Sequence, residues 1–187
     1  MSFIVIIPAR FSSSRLPGKP LIDIGGKPMI ERVYGLAKQS KAKEVYVATD
    51  HQEILDCCSS FGAKAVMTKP EHLTGTDRVA ETTEILNLNS ETVIVNLQGD
   101  EPFLNFSDID NLAKFFIKEK RFDIGTLFSN FTDKQNLNDP NLVKIWVDKE
   151  GEVKGFSRRK DFIESSQLLR ALHIGVYAYK VKFIRNF

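Results

Sequence analysis

Apolar and polar residues alternate along this chain in short blocks. β-Branched runs at Phe3 to Ile7, Glu44 to Ala48, Ala63 to Met67 and Thr92 to Leu97 are separated by stretches whose apolar residues recur at helical spacing. The first such stretch, Met29 to Gln39, follows Pro28 and sets Ile30, Val33, Tyr34 and Ala37 on one face. Further helices are predicted over Gln52 to Phe61, Asp77 to Leu86 and Ser107 to Lys120. Strands alternating with helices predict a parallel sheet with helices on both faces. Beyond Arg121 the pattern loosens. Asn and Asp cluster from Asn130 to Asn141, strand-like Leu142 to Val147 follows, and Asp148 to Val153 reads as a hairpin turn around Lys149-Glu150-Gly151. A smaller hairpin-containing layer over the parallel sheet is therefore expected.

Composition narrows the function classes. A length of 187 residues, 42 % of them hydrophobic, suits one compact α/β domain. The 26 basic and 24 acidic residues leave a formal net charge of +2, without the electrostatic footprint of a nucleic-acid binder. No run approaches the roughly 20 apolar residues of a membrane span, and the amino terminus enters a strand-like run with no signal-peptide pattern, so a cytoplasmic protein is expected. Cys57 and Cys58 are sequence neighbours with no spaced Cys or His partner set, and read as reduced thiols on a helix.

The chemistry concentrates where the first apolar run ends. Pro8-Ala9-Arg10-Phe11-Ser12-Ser13-Ser14-Arg15-Leu16-Pro17-Gly18-Lys19-Pro20 carries three cations, three hydroxyls and a glycine. In open α/β sheets ligands bind outside the carboxyl ends of strands, so Arg10, Arg15 and Lys19 bring neutralising charge to the edge where a polyphosphate would lie. The spacing matches neither the P-loop nor the dinucleotide fingerprint. A merely solvated basic loop is the plain alternative. Asp100, at the end of the run Val93 to Leu97, is expected to face the same crevice, although Gly99-Asp100-Glu101-Pro102 also reads as a strand-ending turn.

The run Ile7 to Pro20, followed by Gly26-Lys27-Pro28-Met29-Ile30, resembles the amino-terminal signature of sugar nucleotidyltransferases, and in this wording the 3-deoxy-manno-octulosonate (KDO) cytidylyltransferases. The resemblance continues in order through Val47-Ala48-Thr49-Asp50, Gly75-Thr76-Asp77-Arg78, Asn96-Leu97-Gln98-Gly99-Asp100-Glu101-Pro102, Phe156-Ser157-Arg158 and His173 to Tyr179. It implies a Rossmann-like nucleotidyltransferase fold, with 1–125 as the nucleotide-binding portion and 126–187 as the sugar-binding and dimerisation portion. The implied activity transfers the CMP moiety of CTP to KDO with release of pyrophosphate, serving lipopolysaccharide synthesis in a homodimer.

Site roles follow from the same resemblance. Asp100 is implied as a ligand of Mg²⁺, which favours one or two carboxylates together with substrate phosphate oxygens. Arg10 and Lys19 would act on the triphosphate, with Ser13 and Arg15 beside them. Thr49, Asp50 and the Gly75-Thr76-Asp77-Arg78 block would lie at the nucleotide, with Arg78 and neighbouring backbone groups reading cytosine. Thr76 or Asp77 also reads as a helix N-cap. Gln98, Arg158 and His173 are implied at the sugar, Arg158 because a guanidinium grips a carboxylate through two parallel hydrogen bonds. A purely structural histidine is the alternative for His173.

Three features depart from the family pattern. After Arg158 the family continues into a segment containing Ile-Pro, where this chain reads Arg159-Lys160-Asp161-Phe162. Leu172 stands where an arginine is common. A helix and a second metal-binding aspartate expected beyond Phe187 have no counterpart, so the sequence reads as carboxyl-terminally incomplete. A cytidylyltransferase for another acid sugar, such as an amino-substituted octulosonate or a sialic acid, and a catalytically silent nucleotide-binding module are the rival readings.

Overall fold

A computed structural model describes residues 2–12, 16–131, 139–159 and 168–186. It divides into two compact units, 1–125 with 176–187, and 126–175. In the first unit the elements run β1 (Phe3–Ala9), α1 (Met29–Gln39), β2 (Glu44–Thr49), α2 (Gln52–Ser60), β3 (Ala65–Met67), α3 (Gly75–Ile85), β4 (Val93–Leu97) and α4 (Phe106–Lys118). Then β5 (Ile124–Ser129) passes into the second unit, which holds β6 (Lys144–Val147) and β7 (Val153–Ser157). Strand β8 (Leu169–Lys180) starts in the second unit and ends in the first, followed by the short α5 (Val181–Ile184).

The sheet is mixed. Strands β3, β2, β1 and β4 are neighbours in that order and all parallel, with Ile4 opposite both Glu44 and Ile94. The carboxyl-terminal half of β8 pairs antiparallel with β4, so that Ile94 faces Tyr179 and Asn96 faces Tyr177. In the second unit β6 pairs antiparallel with both β7 and the amino-terminal half of β8, and β5 also pairs β8. The expected hairpin forms between β6 and β7, where Gly151 takes φ 84, a conformation costly for any side chain with a Cβ.

Each unit has its own core. Strand β1 is buried at all seven positions, as a strand covered on both faces requires. Ile4, Ile6, Ala48, Val79, Ile94, Tyr179, Val181 and Ile184 form one buried cluster in the first unit. Ile145, Val147 and Ala171 form a smaller one in the second, where the fully buried Lys144 donates Nζ–H bonds to the carbonyls of Asp139 and Arg158 at 3.1 and 3.0 Å. Among the described residues no helix is long and apolar enough to cross a membrane.

Helix α3 begins earlier than the periodicity predicts. It starts at Gly75 with Thr74 as N-cap, correcting the expectation that Thr76 or Asp77 caps it. The reason is a reciprocal pair of bonds: Thr74 Oγ1 accepts from the Asp77 amide at 3.1 Å while Asp77 Oδ2 accepts from the Thr74 amide at 3.0 Å. Helix α2 ends at Ser60, one residue short of expectation, with Phe61 as C-cap ahead of Gly62 at φ 74. Replacing Thr74→Ala removes one half of the α3 cap and should lower unfolding free energy by about 1 kcal/mol, read as a shifted denaturation midpoint at constant m-value.

Candidate nucleotide site

The carboxyl ends of β1 and β4, the loop before α3 and the start of α3 enclose a cavity of about 240 Å³ lined by Pro8, Arg10, Leu73, Thr74, Gly75, Arg78 and Gln98. Two strand ends meet a helix amino terminus there, which puts backbone N–H groups and two arginines around one space. Two glycines ease the close approach of these segments. A Cβ on Gly75 would sit 3.1 Å from the Pro8 ring, and one on Gly99 would sit 3.0 Å from the Pro8 carbonyl oxygen.

Arg78 is the buried brace of this cavity. Only 2 % exposed, its guanidinium donates through Nη2 to Asp50 Oδ2 at 2.7 Å and through Nη1 to Thr68 Oγ1 and the Lys69 carbonyl. Asp50 extends the bracing: its other oxygen accepts from the Phe11 amide at 3.2 Å. Thr49 is buried one residue earlier, and its carbonyl accepts from both the amide and the hydroxyl of Thr68. The loop after β1, the end of β2 and the loop before α3 are therefore held to one guanidinium–carboxylate pair.

Two features of that loop give no signal in the sequence. The Phe11 ring stacks on His51, centroids 3.8 Å apart and 15° from parallel, and the Gly18 amide donates to the Phe11 carbonyl at 2.9 Å. Phe11 stands among hydroxyls and cations, and His51 serves as the N-cap of α2, so neither reads locally as half of a stack.

Lys19 and Asp100 meet as an ion pair at 2.6 Å, both side chains about half exposed. Asp100 is thus a solvent-accessible carboxylate next to a cation. Burial raises the pKa of the neighbouring Glu101, the Asp100 charge raises it further, and Lys19 opposes both. Among the described residues no group of three or more His, Cys, Asp or Glu is gathered as a metal cage.

The remaining expected residues are placed as follows. Thr76 and Asp77 lie in the first turn of α3, Asp77 engaged in the cap. Arg158, exposed in the second unit, donates Nη1 bonds to the carbonyls of Pro140 and Asn141 at 3.1 and 3.4 Å. His173 lies on β8 within the same unit: its amide donates to the Val143 carbonyl at 2.9 Å, its Nε2 lies 3.0 Å from Thr126 Oγ1, and its ring meets Phe156 edge-on at 5.1 Å. Burial lowers its pKa, favouring the neutral imidazole. Ser13 and Arg15 lie outside the described residues.

The cytidylyltransferase family profile matches residues 4–187. A 3-deoxy-manno-octulosonate cytidylyltransferase of Francisella tularensis subsp. novicida (strain U112) is 41 % identical over 193 residues, spanning 98 % of this chain and 76 % of its own length. One from Hahella chejuensis (strain KCTC 2396) is 42 % identical over 197 residues, spanning 100 % of this chain and 77 % of its own. Among solved structures, a CMP:2-keto-3-deoxy-manno-octonic acid synthetase complexed with CTP superposes with a TM-score of 0.86 at 37 % identity, over 99 % of this chain and 76 % of that one. A 4-diphosphocytidyl-2C-methyl-D-erythritol synthase, at 12 % identity and a TM-score of 0.64 over 99 % of this chain and 78 % of its own, shares the fold alone. The profile match along almost the whole chain and the identities of 41 and 42 % over about three quarters of those relatives' length show that this protein belongs to the cytidylyltransferase family and, within it, to the 3-deoxy-manno-octulosonate cytidylyltransferases.

Proposed function

We propose that this protein transfers the CMP moiety of CTP to 3-deoxy-manno-octulosonate, releasing pyrophosphate. The observation that carries the reading is the superposition with a CTP-complexed CMP:2-keto-3-deoxy-manno-octonic acid synthetase at a TM-score of 0.86, joined to identities of 41 and 42 % with 3-deoxy-manno-octulosonate cytidylyltransferases. In the proposed reaction the sugar's anomeric hydroxyl attacks the α-phosphorus in line and gives up its proton to solvent, the bond from that phosphorus to the bridging oxygen breaks, and the electron pair leaves on pyrophosphate. The chain's main task is positioning and charge neutralisation. Arg10 and Lys19 supply cationic donors to the phosphates, while the cavity beside Gly75, Arg78 and Gln98 takes the nucleotide.

Mg²⁺ belongs to this proposal. A lone accessible carboxylate suits a hard cation shared with phosphate oxygens, because magnesium keeps several waters and seldom takes a closed protein cage. Asp100 would hold it, and Lys19 would be freed from its ion pair to meet the triphosphate. When bound, the ion supplies charge neutralisation and orientation of phosphate oxygens. In the second unit Arg158 and His173 are the residues proposed for the sugar. Free Cys57 and Cys58 fit a reducing, cytoplasmic setting. Exposed Phe128, Phe156 and Leu169 on the second unit's strands support a homodimer.

Discrimination between bases follows from donor and acceptor chemistry. Cytosine carries an amine where uracil carries a carbonyl, so an acceptor held at that position would be left unpaired by UTP. The expected preference for CTP is about 10⁴ in kcat/KM, measured by pyrophosphate release with each triphosphate and the octulosonate. Equal turnover would exclude the reading.

Asp100→Asn should leave the fold intact and reduce pyrophosphate release by at least about two orders of magnitude at saturating Mg²⁺. Near-parental rates would remove Asp100 from the metal site. For the assembly, Phe156→Ser should shift sedimentation toward the monomer, and an unaltered sedimentation profile would place the subunit contact elsewhere.

A further inference from the structure

Strand β4 reads Val93-Ile94-Val95-Asn96-Leu97, every residue buried and only one of them polar. Asn96 is 0 % exposed, and its Nδ2 has no hydrogen-bond partner among the described residues. Leaving a buried amide donor unmet is unfavourable, and an apolar side chain of similar volume would remove the penalty. The buried Tyr179 hydroxyl lies near Asn96: burial raises the Tyr179 pKa and the Asn96 amide partly offsets it, although the two stand too far apart for a hydrogen bond of ordinary length. The hydrogen bond that the Asn96 side chain makes at ordinary length is to Gln98: its Oδ1 accepts from Gln98 Nε2 at 3.1 Å.

That bond has a consequence for the cavity. With Gln98 Nε2 drawn down to Asn96, Gln98 is left presenting its Oε1, which lies beside Gly75, 3.4 Å from where a Cβ there would stand. Gln98 and Gly75 both line the cavity. A glutamine free to rotate would offer donor and acceptor ends alike; this one offers an acceptor.

We infer that Asn96 is a positioning residue for Gln98, locking its side-chain amide so that Oε1 faces the cavity as an acceptor for a hydrogen-bond donor on the substrate. The donor is a sugar hydroxyl or the cytosine amine, chemistries that share one acceptor. The inference rests on the proposed function for the identity of the substrates, while the orientation of Gln98 stands apart from it.

The test is a double-mutant cycle of Asn96→Leu and Gln98→Ala in the full chain, with kinetics, thermal unfolding and NMR of the side-chain amides. Asn96→Leu should unfold at or above the parental temperature while raising the KM of one substrate about tenfold, and should cost nothing further in the Gln98→Ala background. A raised KM for the octulosonate assigns the donor to the sugar, and one for CTP assigns it to the base. Parental kinetics in Asn96→Leu, or the same loss with and without Gln98, overturns the inference. If Asn96→Leu does not fold, Asn96→Ala passes through the same cycle, where the same outcomes support or overturn the positioning role. The NMR arm separates the two claims: a parent inactive with CTP and octulosonate rejects the proposed function alone, whereas Gln98 amide resonances that Asn96→Leu leaves unchanged reject the positioning role whatever the substrates are.

Discussion

The contact between Asp50 and Arg78 is the constraint on which the rest of the first unit's site depends. A guanidinium only 2 % exposed is met by a carboxylate at 2.7 Å and by two further acceptors. Removing one partner of such a buried pair leaves the other charge uncompensated, which costs about 3–5 kcal/mol. The pair also does more than close on itself. The second oxygen of Asp50 takes the Phe11 amide, so the start of the basic loop is referenced to the end of β2 and, through Arg78, to the first turns of α3. Three segments far apart in sequence thereby share one electrostatic reference point.

Steric economy complements that electrostatic tie. Pro8, at the end of β1, is approached by Gly75 and by Gly99 so closely that a methyl group on either meets it at 3.1 or 3.0 Å. Such contacts are tighter than most side chains make, so Pro8 would have to give by a few tenths of an ångström if either neighbour carried a Cβ. The polar lining then hangs on rigid elements: Gln98 just past β4, Arg78 in the second turn of a capped helix, Arg10 just past β1. Side chains carried on strand and helix ends hold orientation better than side chains on long loops.

Charge is balanced before any ligand arrives. Lys19 and Asp100 neutralise one another at 2.6 Å, so neither an unpaired cation nor an unpaired anion stands alone there. An exposed pair of this kind stabilises the fold little and separates readily. A triphosphate with a divalent cation presents the complementary charges to each partner, which makes the same pair a suitable receiving point for both in the proposed reaction. In the second unit the arrangement differs, with buried Lys144 and exposed Arg158 both donating to backbone carbonyls of neighbouring loops.

What the sequence determined by itself was local and periodic. The buried strand β1, helix α1 with Ile30, Val33, Tyr34 and Ala37 inward, the β6–β7 hairpin around Gly151 and the motif order of the family all follow from short-range patterns. Helix boundaries moved by one or two residues, and α3 by a capping box whose Thr74 the periodicity did not mark, because caps are decided by individual hydrogen bonds. Only the tertiary structure decided that β8 returns antiparallel beside β4, that Arg78 is committed to Asp50, Thr68 and Lys69, and that Asn96 takes Gln98 as its partner. The reason is physical. A residue's type and spacing report its preference for helix, strand or turn, but which donor meets which acceptor across 28 or 39 positions of chain depends on how the strands are ordered, and no local pattern carries that order.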